Sequence, residues 1–119
     1  MPESSVLDDD AVARLREWGG NKLLGQMIRL FLENAPGRMD QIRTGSGGGD
    51  IKEAERGAHS LKSSAANIGA MEVRKFAAEI ERAAGEGDLK RVQELVPSIE
   101  TAFADAVAAL GTMERGLTG

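Results

Sequence analysis

Apolar side chains recur every three or four residues through most of the chain, and glycines and prolines interrupt this spacing at a few points. No stretch alternates apolar and polar residues over the length of a strand, and alanine, leucine, glutamate and arginine are frequent. This spacing is that of one face of an α-helix. The pattern therefore predicts an all-α chain with about five helical segments.

The first two predicted segments lie on either side of a Gly19-Gly20 pair. The short first segment has its apolar face at Leu7, Ala11, Leu15 and Trp18. The second has its apolar face at Leu24, Met27, Ile28, Phe31, Leu32, Ala35, Met39 and Ile42. Since this face continues in phase beyond Pro36, we expect a kink at the proline rather than a helix end near Asn34.

A glycine-rich sequence, TGSGGGD, ends at Asp50 and predicts a loop over 43–50, with Asp50 as the cap of the third segment. Apolar residues of that segment are spaced 3, 4, 3, 4 and 3 residues apart, at Ile51, Ala54, Ala58, Leu61, Ala65 and Ile68. Gly69 then ends the helix, as glycine commonly does.

Two more segments come after Gly69, separated by GEGD at 85–88. The fourth has its apolar face at Val73, Phe76, Ala77, Ile80 and Ala84. The fifth starts from Asp88 and has its apolar face at Leu89, Val92, Val96, Ile99, Phe103, Val107 and Leu110. We expect a kink at Pro97 and a frayed end over 111–119.

Four long amphipathic segments joined by short connections predict an up-down antiparallel four-helix bundle with a short additional N-terminal helix. At 119 residues, the chain is expected to form a single domain, 1–119. Only three phenylalanines and one tryptophan are present, so the core is expected to consist mainly of aliphatic side chains.

The composition narrows the possible functions. The formal net charge of −4 gives no basic surface for nucleic acid, and the apolar runs are too short to cross a membrane. Residues 1–10 lack the pattern of a signal peptide, and cysteine is absent, which favours a cytoplasmic location. A single histidine leaves too few ligands for zinc, and no phosphate-binding or GxSxG motif is present. With no acid partner or concave site evident, an enzyme is the least supported class.

The single histidine, His59, lies on the third segment, roughly 135° from its apolar stripe when successive residues turn by about 100°. We therefore expect an imidazole that faces solvent, beside residues one or two turns away: Glu55, Arg56, Lys62, Ser63, Ala66 and Asn67. Lys62 could reach an anionic group added to the ring. The spacing leaves two interpretations open, a functional histidine and an incidental surface residue.

The sequence AHSLKSSAANIGA at 58–70 resembles the signature of histidine-containing phosphotransfer (HPt) domains, roughly H-x-L-K-[GS]-x-x-x-x-[LIV]-G-[AL]. The matching residues are His59, Leu61, Lys62, Ile68, Gly69 and Ala70. FLENAPGRM at 31–39 and FAAEIERAAGEGD at 76–88 are also similar to the flanking helices of that family. Many members have glycine at the position of Ser63.

The resemblance implies a carrier in a multistep two-component phosphorelay rather than an enzyme. His59 would accept a phosphoryl group on Nε2 from a receiver-domain phospho-aspartate and pass it to another receiver aspartate. Lys62 would steady the phosphoryl oxygens, while Ser63 would either bond them or narrow the approach of some partners. Partner docking would involve Glu55, Arg56, Ser60, Ala66 and Asn67.

The implied partners are response-regulator receiver domains and a (hybrid) sensor histidine kinase, with no nucleic acid and no membrane, and the chain is expected to be a monomer. No cofactor or metal of its own is implied, because the Mg²⁺ would lie on the receiver. Two alternatives remain open. The chain could be an HPt-like bundle that binds a kinase or response regulator without being phosphorylated, or an HPt-type domain of a chemotaxis-style kinase cut from a longer protein.

Overall fold

The computed structural model describes residues 6–118, with the side chain of Thr118 excluded. Its four helices are α1 (Asp9–Gly48), α2 (Ile51–Ile68), α3 (Met71–Gly85) and α4 (Leu89–Thr118). Consecutive helices pack side by side, and α1 also packs on α4, which closes the bundle. The predicted all-α, up-down four-helix bundle is therefore confirmed.

The predicted short N-terminal helix is also confirmed, as the first arm of α1. Gly20 has φ 66° and ψ −164°, a conformation that breaks the helix between a short arm, 9–19, and a long arm, 21–48. Leu7 precedes the helix and is buried, pairing with Ala70 in an isolated bridge. The expected burial of Trp18 is wrong, since the residue is 71% exposed. It lies near the end of the short arm, two residues before the break at Gly20.

The predicted loop over 43–50 is wrong for most of its length, because α1 continues to Gly48. Gly45 and Ser46 are buried, and a Cβ added at Gly45 would lie 2.5 Å from the backbone nitrogen of Ala54. Gln93 donates a hydrogen bond of 2.8 Å to the Ser46 carbonyl. Tertiary packing on α2 and α4 thus keeps this glycine-rich segment helical, and the turn to α2 is confined to 49–50.

The expected fraying over 111–119 is contradicted for residues 111–118, which continue α4. Leu110 is fully buried, and Met113 and Leu117 pack against the core. Arg29 of α1 forms an ion pair of 3.7 Å with Glu114. These contacts hold the last turns on α1, while Gly119 lies outside the described residues.

The starts of α2 and α4 and the end of α2 agree with the sequence pattern. Asp50 accepts a hydrogen bond from the backbone N–H of Glu53 at 3.2 Å, and Asp88 accepts one from Arg91 at 3.0 Å. Gly69 ends α2 with φ 82°. α1 runs on through Pro36 and α4 through Pro97, so the alternative of a helix end near Asn34 is excluded.

Aliphatic side chains and alanines form most of the core, as expected. The largest fully buried side chains are Leu24, Ile28, Met39, Ile42, Leu61, Ile68, Ile80, Ile99, Leu110, Val73 and Val92. Phe31 and Phe103 add an aromatic contact between α1 and α4, with ring centroids 6.2 Å apart. α2 thereby becomes a fixed support whose outer face carries the single histidine.

Candidate phosphoacceptor site

α2 holds His59 on its outer face, as the periodicity predicts. Ala58 and Leu61 on either side are fully buried, whereas the His59 side chain is 65% exposed. Gly57 lets α2 approach α1 closely, since a Cβ there would lie 2.8 Å from the Arg38 carbonyl oxygen. Packing on one side of α2 therefore directs the imidazole outward on the other.

A carboxylate from α3 contacts the histidine. Glu81 Oε2 lies 2.6 Å from His59 Nδ1, and Oε1 of the same group lies 2.6 Å from Lys62 Nζ. The Glu81 side chain is 22% exposed, far less than the imidazole. The hydrogen bond from Lys62 is the main cause that lowers the pKa of Glu81 below its ordinary value; the His59 contact adds to this effect, and burial opposes it.

The expectation that the histidine has no acid partner is wrong, because Glu81 contacts it. The sequence gives one signal for it: Glu81 directly follows the core residue Ile80 and so lies beside the apolar stripe of α3. Periodicity along one helix does not say which turn of α3 faces His59, because that depends on the register between α2 and α3. Within residues 6–118, the other ring nitrogen, Nε2, has no hydrogen-bond partner.

The structure places both residues expected to contact the phosphoryl group near His59. Lys62 lies one turn away and is half-buried, with its ammonium on Glu81. The Ser63 hydroxyl is exposed and donates a long hydrogen bond of 3.4 Å to the His59 carbonyl oxygen. It is therefore bonded back along the helix, as serine often is within helices. Their roles toward a phosphoryl group stay predictions.

The expected docking residues all lie on the accessible side of α2. Exposed or half-buried positions are occupied by Glu55, Arg56, Ser60, Ala66 and Asn67. Arg56 pairs with Glu53 at 2.9 Å, and Glu55 lies 3.8 Å from Lys52. The first half of this face is thus charged, whereas the second half carries small side chains.

Two kinds of surface flank the histidine. On the charged half, an open cleft of about 450 Å³ is lined by Arg38, Gln41, Lys52, Glu55, Arg56, His59, Ser60 and Glu81. On the other half, two shallow cavities lie between α2 and α1 and share Asn67. Trp18 lines one of them and Leu30, which is 50% exposed, lines the other. His59 therefore lies between a charged region and an apolar region.

The described residues include no group of three or more histidine, cysteine, aspartate or glutamate side chains suited to hold a metal ion. They also include no helix long and apolar enough to cross a membrane. The expectation that the chain has no cofactor of its own remains a prediction.

The comparisons with known proteins agree with this geometry. The crystal structure of histidine-containing phosphotransfer protein B (HptB) from Pseudomonas aeruginosa PAO1 matches with a TM-score of 0.87 and 24% identity, over 95% of this chain and 97% of that chain. No curated protein sequence gives a match. The family model of the Hpt domain matches residues 26–112, which include α2, α3 and the whole His59–Glu81–Lys62 cluster. The chain therefore belongs to the Hpt domain family, the histidine-containing phosphotransfer carriers of phosphorelays.

Proposed function

We propose that the chain carries a phosphoryl group on His59 between two receiver domains of a two-component phosphorelay. The observation that supports this most directly is the 65% exposed imidazole whose Nδ1 is held by Glu81, while Nε2 has no hydrogen-bond partner among residues 6–118. A nucleophile on a rigid helix, reachable from outside, is what transfer between proteins requires.

In the forward step, Nε2 attacks the phosphorus of a receiver phospho-aspartate. The P–O bond to the aspartate breaks, a P–N bond to His59 forms, and the receiver carboxylate is regenerated. Transfer to the second receiver reverses these bond changes on another aspartate. Phosphoryl transfer of this kind depends mainly on in-line positioning and on neutralising the charge of the transferred oxygens.

Lys62 and Ser63 are the residues of this chain that we assign to the phosphoryl oxygens. The Lys62 ammonium has three donors, so its bond to Glu81 leaves two for other oxygens. Ser63 could contribute once its hydroxyl rotates away from the His59 carbonyl. The Mg²⁺ and the acidic cluster that binds it belong to the receiver in this proposal.

The docking surface extends beyond the residues expected from the sequence. Arg38 and Lys52 line the charged cleft and can meet an acidic partner, while Trp18 and Leu30 offer apolar contacts beyond α2. Large aromatic side chains often dominate binding energy at protein interfaces. We propose that receiver domains, and the receiver of a hybrid sensor kinase, dock across both regions with their aspartate over His59.

The direct test replaces His59 by glutamine and incubates both proteins with a phosphorylated receiver. We expect the wild type to gain acid-labile, base-stable phosphate and His59→Gln to gain none, with unchanged helical circular dichroism. Phosphate retained by the variant would contradict the proposal. Receiver binding without transfer in the wild type would support the alternative, a bundle that acts only by interaction.

A further inference from the structure

We propose that the groove between α3 and α4 binds a helical segment of a partner protein, one that carries an apolar anchor at one end and basic side chains at the other. This inference goes beyond the proposed function and does not rest on it. The groove has a volume of about 480 Å³ and shares no lining residue with the cleft that contains His59. A partner bound here would therefore leave the histidine accessible.

The first observation is an aromatic side chain that the bundle leaves partly uncovered. Phe31 and Phe103 are buried in the core, whereas Phe76 of α3 is half-buried and lines the groove. Pro97 and Ala102 of α4 line the groove opposite this ring. A concave apolar surface between two helices is the kind of surface that accepts the apolar face of a third helix.

The second observation is the charge of the groove. Glu72 of α3 and Asp105 of α4 line it, and both are exposed. Neither side chain has a hydrogen-bond or ion-pair partner among residues 6–118. No lysine or arginine lines the groove, whereas three such residues line the cleft beside His59. The groove is therefore complementary in charge to a basic segment.

The third observation is the order of these features along the groove. Only a short turn joins the end of α3 to the start of α4, so early residues of α3 lie beside late residues of α4. Glu72 and Asp105 therefore belong to one end of the groove, and Phe76 and Pro97 to the other. From 97 to 105, α4 rises about 12 Å, which is the length of about two helical turns. The occupant that fits is a two-turn helix with its anchor and its basic residues at opposite ends.

A cation of this chain already contacts the aromatic ring. Lys75 Nζ lies 5.0 Å from the centroid of the Phe76 ring. Lys75 is exposed, and no carboxylate of residues 6–118 pairs with it. Cation–π contacts at exposed sites are weak, so this flexible side chain can move aside when an apolar group covers the ring.

The test uses a synthetic alanine-rich peptide, held helical by a side-chain lactam, with two leucines one turn apart and two lysines beyond them. Two matched peptides replace the leucines by serine or the lysines by glutamate. The whole chain, labelled with nitrogen-15, is titrated with each peptide, and its amide NMR shifts give the binding site and the Kd. We expect the lysine peptide to shift the amides of Phe76 and Asp105 and to leave that of His59 unchanged.

The matched peptides separate the two kinds of contact. We expect the serine peptide to bind roughly tenfold or more weakly than the lysine peptide, because the buried apolar area of the leucines is lost. The glutamate peptide should bind more weakly as well, because its carboxylates meet those of the groove. Added salt should weaken binding of the lysine peptide, since the charged end of the groove is exposed.

Asp105→Lys tests the charge of the groove from the side of the protein. Asp105 is preferred to Glu72, because Glu72 lies in the first turn of α3, where a carboxylate also stabilises the helix. Glu86→Lys is the matched control, since it makes the same change of charge at an exposed residue outside the groove. We expect Asp105→Lys to bind the lysine peptide about fivefold more weakly than the wild type, the effect of one partly exposed ion pair. Glu86→Lys should match the wild type.

The proposal is overturned if no peptide binds, if the lysine and glutamate peptides bind equally, or if the shifts map to another face. An Asp105→Lys protein with unchanged helical circular dichroism and wild-type affinity would also overturn it. None of these measurements involves phosphorylation. The proposed function can therefore fail while this inference stands, and the reverse.

Discussion

At the scale of single residues, we expect the Lys62 ammonium to be shared between two anions once His59 carries a phosphoryl group. In the unphosphorylated protein it bonds Glu81 Oε1 at 2.6 Å, and the Lys62 side chain is 36% exposed. A partly exposed ion pair contributes little to stability. The role that we propose for this ion pair is therefore local, since it holds a cation one turn from His59, where the phosphoryl group is expected.

Replacing Lys62 by alanine should shorten the lifetime of phosphohistidine several-fold, because charge-assisted hydrogen bonds to the phosphoryl oxygens are lost. The measurement is the loss of acid-labile phosphate from purified phosphorylated protein. Lys90→Ala, which removes an exposed lysine on α4, serves as control and should match the wild type. Equal lifetimes for all three proteins would remove the role assigned to Lys62.

At the scale of elements, two glycines near the end of α1 act in different ways. Gly45 faces α2 at a distance that leaves no room for a Cβ, whereas nothing lies within 4 Å of a Cβ added at Gly47. Both residues belong to the same helix. The first is needed for packing, and the second only lowers the helical propensity of the segment.

Alanine substitutions at these two positions should therefore change stability in opposite directions. Gly45→Ala should lower the free energy of unfolding by about 1–3 kcal/mol, because the methyl group meets backbone atoms of α2. Gly47→Ala should raise it by about 0.5–1 kcal/mol, because alanine favours the helix. Urea unfolding measures both. Equal, small effects would instead indicate a flexible loop over 43–50.

At the scale of the whole molecule, a bidentate ion pair joins the first helix to the last. Arg43 donates to both oxygens of Glu100 at 2.6 Å, and Asp40 lies 2.8 Å from the same guanidinium. The pair lowers the pKa of Glu100 below its ordinary value of 4.5 and raises that of Arg43. Both side chains are more than a third exposed, so solvent weakens the pair.

The sign of the Glu100 shift predicts a dependence of stability on pH. A carboxyl group with a lowered folded pKa stabilises the protein above its unfolded pKa, and this contribution is lost as the pH falls through the folded pKa. Glu100→Gln should cost about 0.5–1 kcal/mol near neutral pH, and the difference from the wild type should shrink as the pH falls below the ordinary value of 4.5 and through the lowered folded pKa. Urea titrations at neutral and at acidic pH measure this difference.

Glu94→Gln is the matched control, because Glu94 is on the same helix and lies 3.6 Å from Arg91. It should cost less than Glu100→Gln at neutral pH. A Glu100→Gln deficit that persists unchanged in acid would show that the ion pair is not its cause.

Periodicity along the chain predicted the faces of single helices, whereas features that depend on contacts between helices were missed. The stripe from Ile51 to Ile68 was sufficient to orient His59, since both belong to one helix. Glu81 and the exposed Trp18 were missed because their surroundings depend on the register and length of neighbouring helices. The helical state of 44–48 was missed because glycine usually signals a turn, and its packing on α2 is visible only in three dimensions.

The cluster around His59 and the apolar region that we propose for docking lie in separate parts of the chain. His59, Lys62 and Glu81 all fall within the hairpin of α2 and α3, whereas Trp18 and Leu30 belong to α1. The short arm that carries Trp18 also precedes residues 26–112, the part that matches the Hpt model. If receivers dock as proposed, substitutions in the first helix would change partner choice without altering the residues of the hairpin. Divergence among duplicated relays should accordingly concentrate in α1.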